Sequence, residues 1–210
     1  MKFKTRKQAR EYVGQLSEPS KMPGFAYGIP SATCRLGAIL ATVAGTVCAM
    51  CYASKGAYRF PVVVAAYRRR FATLQKPHWV AAMVKAIEGQ KWFRWHDSGD
   101  IQSVGHLHNI VAVCQKSPET KFWLPTRELA TLRAYRASGW VWPDNLAIRL
   151  SSIRPGDGPM LTAADSVSVQ CSTVDDPTSF QCPAHKQGNE CGRCRACWDK
   201  TVHSVSYRGH

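Results

Sequence analysis

The chain reads as an α/β protein, a partial (βα) barrel or an open parallel sheet with a cysteine-rich C-terminal metal-binding tail. Three observations predict this. Apolar runs of strand length alternate with segments of helical period, and seven of the nine cysteines fall into two spaced groups. The third is size: 210 residues with 45% hydrophobic content suit one ordinary domain with a sizeable core. Strands alternating with helices imply parallel pairing through right-handed crossovers. About five strands are visible, too few for a complete eight-stranded barrel.

Taken in order, residues 1–23 form a basic N-terminus read as a mobile segment. Residues 24–175 form the α/β body with a three-cysteine loop, and residues 176–210 form the tail. GFAYGIP is a short strand ending at Pro30. Pro61 opens a helix whose apolar positions Val63, Tyr67, Phe71 and Leu74 share a face, and Pro77 opens another with Val80, Met83, Val84 and Ile87, stopped by Gly89. KWFRWHDSGDI is a strand running into a polar turn. Ser103 is the N-cap of a helix with Leu107, Ile110, Val111 and Cys114 inside, and His106 and His108 on its polar side read as surface residues. KFWLPT is the next strand, Thr126 caps RELATLRAYRAS, and Gly139 ends that helix. NLAIRLSS and SVSVQCS are two further strands separated by RPGDGPM.

Lys and Arg number 28 against 14 Asp and Glu, a net charge of +14, which implies an anionic substrate or partner such as nucleic acid. The basic residues concentrate at Lys2, Lys4, Arg6, Lys7 and Arg10, read as either a solvated tail or a nucleic-acid arm, and at Arg68, Arg69 and Arg70. The Arg triplet falls in a helix, so only part of it can face solvent. No apolar run approaches a membrane span, and the opening MKFKTRKQAR has no apolar signal region. A cytoplasmic protein with reduced thiols is expected.

The cysteines carry the chemistry. Cys182, Cys191, Cys194 and Cys197 read C-x8-C-x2-C-x2-C, close enough to wrap one small inorganic body. Such a run suits a thiolate-held iron-sulfur cluster of the 4Fe-4S kind, with zinc the alternative at this site. Cys34, Cys48 and Cys51, spaced C-x13-C-x2-C, supply three sulfurs and therefore an open centre. A three-thiolate, four-iron cluster leaves one iron for a substrate or cofactor. Cys114 reads as core, and Cys171 is open between core and ligand.

The carboxyl ends of parallel strands gather ligands. Here they carry the cysteine loop, His96-Asp97-Ser98-Gly99-Asp100 and Pro125-Thr126-Arg127. His96, Asp97 and Asp100 are candidates for proton transfer or for binding an amino group. Arg127 is a candidate for an anionic group, because its guanidinium can grip a carboxylate or phosphate with two donors. Asp100 and Ser98 can equally be satisfying backbone donors at the next helix start.

IPSATC, CAMCYASKGAYRF, FRWHDSGDIQSVGHL, FWLPTRE and CPAHKQGNECGRCRACW resemble the phage gene-product-88 family, from about Gly24 to Trp198. That resemblance implies a phage or prophage origin, hence a host cytoplasm, and a cysteine-bound cofactor. The three-cysteine loop after a first strand is also similar to radical S-adenosylmethionine enzymes, whose three cysteines hold a four-iron cluster while the cofactor chelates the open iron. By that resemblance Ser98, Gly99 and Asp100, with Thr126 and Arg127, hold S-adenosylmethionine, and the tail holds an auxiliary cluster. The superfamily's usual spacing is C-x3-C-x2-C, and its aromatic residue precedes the last cysteine, whereas Tyr52 follows it here. Two functions are expected. One is a radical-type iron-sulfur enzyme acting on an anionic substrate such as nucleic acid or a nucleotide. The other is a non-catalytic metal-stabilised module that binds nucleic acid or a host protein.

Overall fold

The computed structural model describes residues 2–159, 161 and 169–209. Among the described residues six α-helices are present: α1 (Arg6–Tyr12), α2 (Arg35–Ala41), α3 (Pro61–Thr73), α4 (Trp79–Ala86), α5 (Val104–Gln115) and α6 (Leu129–Ala137). Seven strands accompany them: β1 (Phe25–Tyr27), β2 (Trp92–Trp95), β3 (Lys121–Thr126), β4 (Leu146–Ser151), β5 (Gln170–Val174), β6 (Phe180–Gln181) and β7 (Ser204–Tyr207). They form one parallel sheet in the order β1-β2-β3-β4-β5-β7-β6, which does not close. An antiparallel bridge from Ser17 to Ala26 shields the β1 edge from further pairing.

Topology explains what lies on each face. From β1 to β4 the strands succeed one another in one direction, so right-handed crossovers put their helices on a common face. The core there joins Phe93, Trp95, Phe122, Leu124, Leu146 and Ile148 to Met83, Ile87, Leu107, Ile110 and Leu132. Between β6 and β7 the order reverses, so the same handedness sends that crossover to the opposite face. That crossover is the cysteine-rich segment 182–203. Trp123 and Val205 of this second face pack against Ala196, Cys197 and Trp198.

The alternation of β2 shows the two faces in sequence. Phe93 and Trp95 point to the helices, while Trp92 and Arg94 belong to the tail side. Arg149, fully buried in β4, is also on the tail side. It donates to the carbonyls of Cys197 (3.0 Å), Ala196 (2.6 Å), Asp199 (2.8 Å) and Cys171 (3.1 Å). A guanidinium suits this because its planar fork offers five donors at fixed angles.

Several elements differ from the sequence reading. The tail is not an appendage: it contributes β6 and β7 to the same sheet, raising the strand number from about five to seven. β6 is two exposed residues and β7 is four, too short to register as a pattern. The basic N-terminus is helical, with Thr5 Oγ1 accepting from the Gln8 amide, and it packs on α4 through buried Ala9 and Val13. Arg10 donates to the Ala86 carbonyl, so a residue read as part of a free arm is tied to the body. Ser103 caps α5 as expected, accepting from the His106 amide at 3.1 Å. Thr126 does not cap α6, which begins at Leu129 after Glu128. The helix after Pro77 starts at Trp79, because His78 takes a left-handed conformation (φ 66°). Phe71 is exposed rather than on the inner face of α3, and Arg70 is buried while Arg68 and Arg69 are exposed. His106 is buried, not on the surface, because it faces the rings of Trp79 and His96. Of the strand SVSVQCS, residues 166–168 lie outside the described residues. No helix among the described residues is long and apolar enough to cross a membrane.

Candidate functional site at the carboxyl ends of the strands

Parallel pairing brings the ends of β1, β2, β3 and β4 to one edge, and the three-cysteine loop arches over them. It is pinned from three sides. Glu128, after β3, accepts from the Leu36 amide at the start of α2 (2.9 Å). The Val47 amide donates to the Ile153 carbonyl beyond β4 (2.8 Å). Near β2, Gln102 donates to the Thr33 carbonyl (3.1 Å) and the Tyr52 hydroxyl donates to the Asp97 carbonyl (3.0 Å).

Within the loop, Cys34 stands at the start of α2 and Cys48 and Cys51 sit in one turn, with the Cys51 amide donating to the Cys48 carbonyl. Gly37 makes the space between them. A Cβ on Gly37 would lie 3.6 Å from the Sγ atoms of both Cys34 and Cys48, so these sulfurs are within about 7.2 Å of each other. All nine cysteines are unbridged. Burial pushes the Cys34 thiol up to about 12, helped by Asp100, Cys51, Cys48 and Glu128 nearby. Burial also raises Cys48, while the Arg127 guanidinium beside it pulls in the opposite direction. Sulfurs gathered in this way favour a positive centre among them, which would reverse these shifts.

In the tail, Cys182 and Cys194 pack against the cluster that holds buried Cys197, and burial, with neighbouring thiols adding to it, raises Cys182, Cys191 and Cys197. The backbone positions them: the Cys182 amide donates to Ser206, the Cys191 amide to Lys21 and the Cys194 amide to Cys191. Cys197 Sγ lies 3.1 Å from the Tyr207 hydroxyl. Among the described residues, no three His, Cys, Asp or Glu side chains could hold a single metal ion. Zinc requires sulfurs about 2.3 Å from the metal, hence about 3.8 Å from one another. The sulfurs as they stand do not meet that spacing, and a centre several atoms across demands less closure.

The HDSGD turn is divided between two roles. Asp100 is buried and held by three protein donors: Oδ1 accepts from the Ile101 amide (2.7 Å) and the Thr126 hydroxyl (2.6 Å), and Oδ2 from the Arg127 amide (2.9 Å). Thr126 Oγ1 in turn accepts from the Glu128 amide. Asp100 therefore ties the β2 end to the β3 end beneath the cysteines. Burial raises its carboxyl to about 6. The native state then binds this proton more tightly than the unfolded chain, so ionisation costs stability as pH rises from about 4 to about 6. The expected loss, on the order of 2–3 kcal/mol, is read by comparing urea unfolding of the wild type with Asp100→Asn at several pH values. A difference between the two that stays flat across that window contradicts the assignment.

His96 turns away from the cysteine loop. Its backbone is left-handed (φ 55°), and its buried ring faces His106, with burial holding it well below the usual histidine range and both nitrogens without a hydrogen-bond partner. Asp97 accepts from Tyr67 (3.1 Å) through Oδ2, and its buried Oδ1 has no donor. The Ser98 carbonyl accepts from Ile29, and Gly99 has φ 79° against Ile29. Arg127 donates to the Ser151 and Ser152 carbonyls as well as standing by Cys48. The structure thus brings Cys34, Cys48, Cys51, Asp100, Thr126 and Arg127 together and separates His96 from them. Cys114 is core, as expected. Cys171 is buried, paired with Leu150, and its carbonyl accepts from Arg149.

Sequence reasoning missed Glu128, Arg94 and Arg149. Arg94 donates to the Tyr52 hydroxyl (2.8 Å), lies over Trp123 (4.4 Å to the ring centre) and is felt electrostatically by Cys191. It stands in the wall between the two cysteine groups. The available signal was a charged residue inside an apolar parallel strand, in KWFRW and in LAIRL.

An open parallel sheet with one group of cysteines at its carboxyl edge and another on its far face makes this an α/β protein of parallel-sheet type. The chain matches the family described as Gene product 88 over residues 1–200, and it belongs to that family. No curated protein and no solved structure matches it. The resemblance to radical S-adenosylmethionine enzymes has no support among these comparisons.

Proposed function

We propose that this is an iron-sulfur protein of the host cytoplasm, with an open centre at Cys34, Cys48 and Cys51 and a closed one at Cys182, Cys191, Cys194 and Cys197, acting on an anionic substrate. The observation that carries this reading is the pair of unbridged thiols, Cys34 and Cys48, on either side of Gly37 in a loop pinned to the carboxyl ends of three strands. When bound there, a four-iron cluster supplies one-electron reduction of a cofactor at its open iron, as in radical S-adenosylmethionine enzymes. The chain's own part is positional. Arg127 offsets thiolate charge beside Cys48, Asp100 and Thr126 hold the loop's floor, and Glu128 fixes the start of α2 so that Cys34 keeps its direction.

A second reading, a metal-stabilised module without catalysis, is favoured by one specific observation. Asp100 already uses most of its acceptor capacity on three protein donors, and the His96 ring faces His106. Anaerobic purification with iron and sulfide analysis, then electron paramagnetic resonance with and without S-adenosylmethionine, separates the two. The enzyme reading expects a reduced-state signal that changes with the cofactor. Cys48→Ser should remove the open centre while the tail centre persists. A colourless, zinc-loaded protein would end the reading.

Gly37→Ala sharpens the test. In a helix the exchange normally stabilises by about 1 kcal/mol, but here the new methyl would lie 3.0 Å from Cys34 Cβ and occupy the space between the sulfurs. The expected outcome is loss of iron from the open centre in a variant that still folds by circular dichroism, since the clash falls on one Cys34 side chain. Full iron occupancy in this variant contradicts the space beside Gly37 as the binding place.

A further inference from the structure

We propose that the outer surface of the three-cysteine loop, continued onto α3, binds single-stranded nucleic acid. It deepens the anionic-substrate reading above and needs no particular metal chemistry. Residues 19–87 contain no Asp or Glu and nine Lys or Arg. Arg35, Lys55, Arg59, Arg68 and Arg69 are exposed within that span. The exposed charges that this span contributes are therefore of one sign, the footprint of a polyanion partner.

Charge alone does not choose the polyanion; the rings do. Among the described residues, seven of the eleven exposed large hydrophobics lie between Leu36 and Val62, including Tyr52 and Phe60, the latter 58% exposed. Tyr52 meets Tyr58 edge to face at 5.4 Å, and Tyr58 stacks on the buried Tyr67 at 6.2 Å, so exposed Tyr52 is braced against the body, and Phe60 is the second exposed ring of this stretch, just before α3. Duplex DNA offers such a row only phosphates, whereas unpaired bases can stack on exposed rings while Arg and Lys follow the backbone. The loop is already fixed by Glu128, Ile153 and Asp97, so the surface is presented without an ordering cost on binding.

The test is fluorescence anisotropy of fluorescein-labelled dT20 with the full, iron-reconstituted chain at 50 and 200 mM salt. Five phosphate contacts on a single strand predict about a 100-fold loss of affinity across that range. Phe60→Ser should weaken binding about tenfold by removing one stacking surface. Because serine is a good residue for the position before α3, that variant should keep its fold by circular dichroism. Arg59→Ser should reduce the salt slope by about 0.7. Absence of dT20 binding at 50 mM salt overturns the proposal. So does polyglutamate of matched charge competing equally while Phe60→Ser binds like the wild type, which would point to an acidic protein instead. Iron loading without dT20 binding sinks this inference alone; dT20 binding by a protein that holds no iron sinks the iron-sulfur reading and leaves this one standing.

Discussion

Replacing Arg149 with Met should lower the unfolding free energy by about 3 kcal/mol or more. The side chain is fully buried and offers its donors to four carbonyls, three of them in the segment 196–199. Methionine fills much of the volume but donates nothing, so those acceptors lose their partners in a place water does not reach. The damage should be directional. β1 to β4 and their helices share a separate core, whereas segment 196–199 of the tail crossover takes from this one fork three of its carbonyl partners, beside the Trp198 indole that donates to the Phe93 carbonyl and the packing of Trp123 and Val205. Urea unfolding reports the energy. Thiol labelling of Cys197 in metal-free protein reports the place, and should accelerate well before global unfolding. Unchanged labelling with lowered stability would mean that the fork supports the sheet and not the tail. Lysine at this position should not rescue, since one ammonium cannot reach acceptors spread around a planar fork.

Gly99→Ala should be nearly as costly, about 2–4 kcal/mol, and should also disturb metal binding. Two independent penalties apply. The backbone at Gly99 is left-handed (φ 79°), which a Cβ disfavours, and that Cβ would overlap Ile29 Cγ1 and stand 2.8 Å from the Ile29 carbonyl oxygen. Relief requires separating the β1 and β2 ends, and with them the Ile29 amide bonded to Ser98 and the floor set by Asp100. The expected readout is a lowered thermal midpoint together with reduced iron at the open centre under conditions where the variant is still folded. Wild-type stability and iron content would show that the turn tolerates a side chain and that its glycine has no structural cause.

The contrast between these two positions shows what could be read in advance. Gly99 was visible because its glycine sits between polar residues at the end of a strand, and local chemistry announces a turn there. Arg149 was in plain view in LAIRL yet its role was hidden, since its partners are carbonyls some fifty residues away that no side-chain pattern encodes. His106 misled for a related reason. Its helix face is polar by composition, but the tertiary neighbours Trp79 and His96 convert that face into an interior one. Glu128 was the last residue of FWLPTRE and drew no notice, because what it holds is an amide at the other end of the fold.

By itself the sequence determined the alternation of strands and helices, the parallel α/β class, and the division of seven cysteines into groups of three and four. Those properties are local, set by hydrophobic period, turn residues and spacing. Only the tertiary structure decided that the sheet stays open, that the tail supplies two of its strands, and that the tail crosses the face opposite the helices. The reason is that strand order and crossover side depend on contacts between segments far apart in the chain, and a handedness rule acts on that order only once it exists.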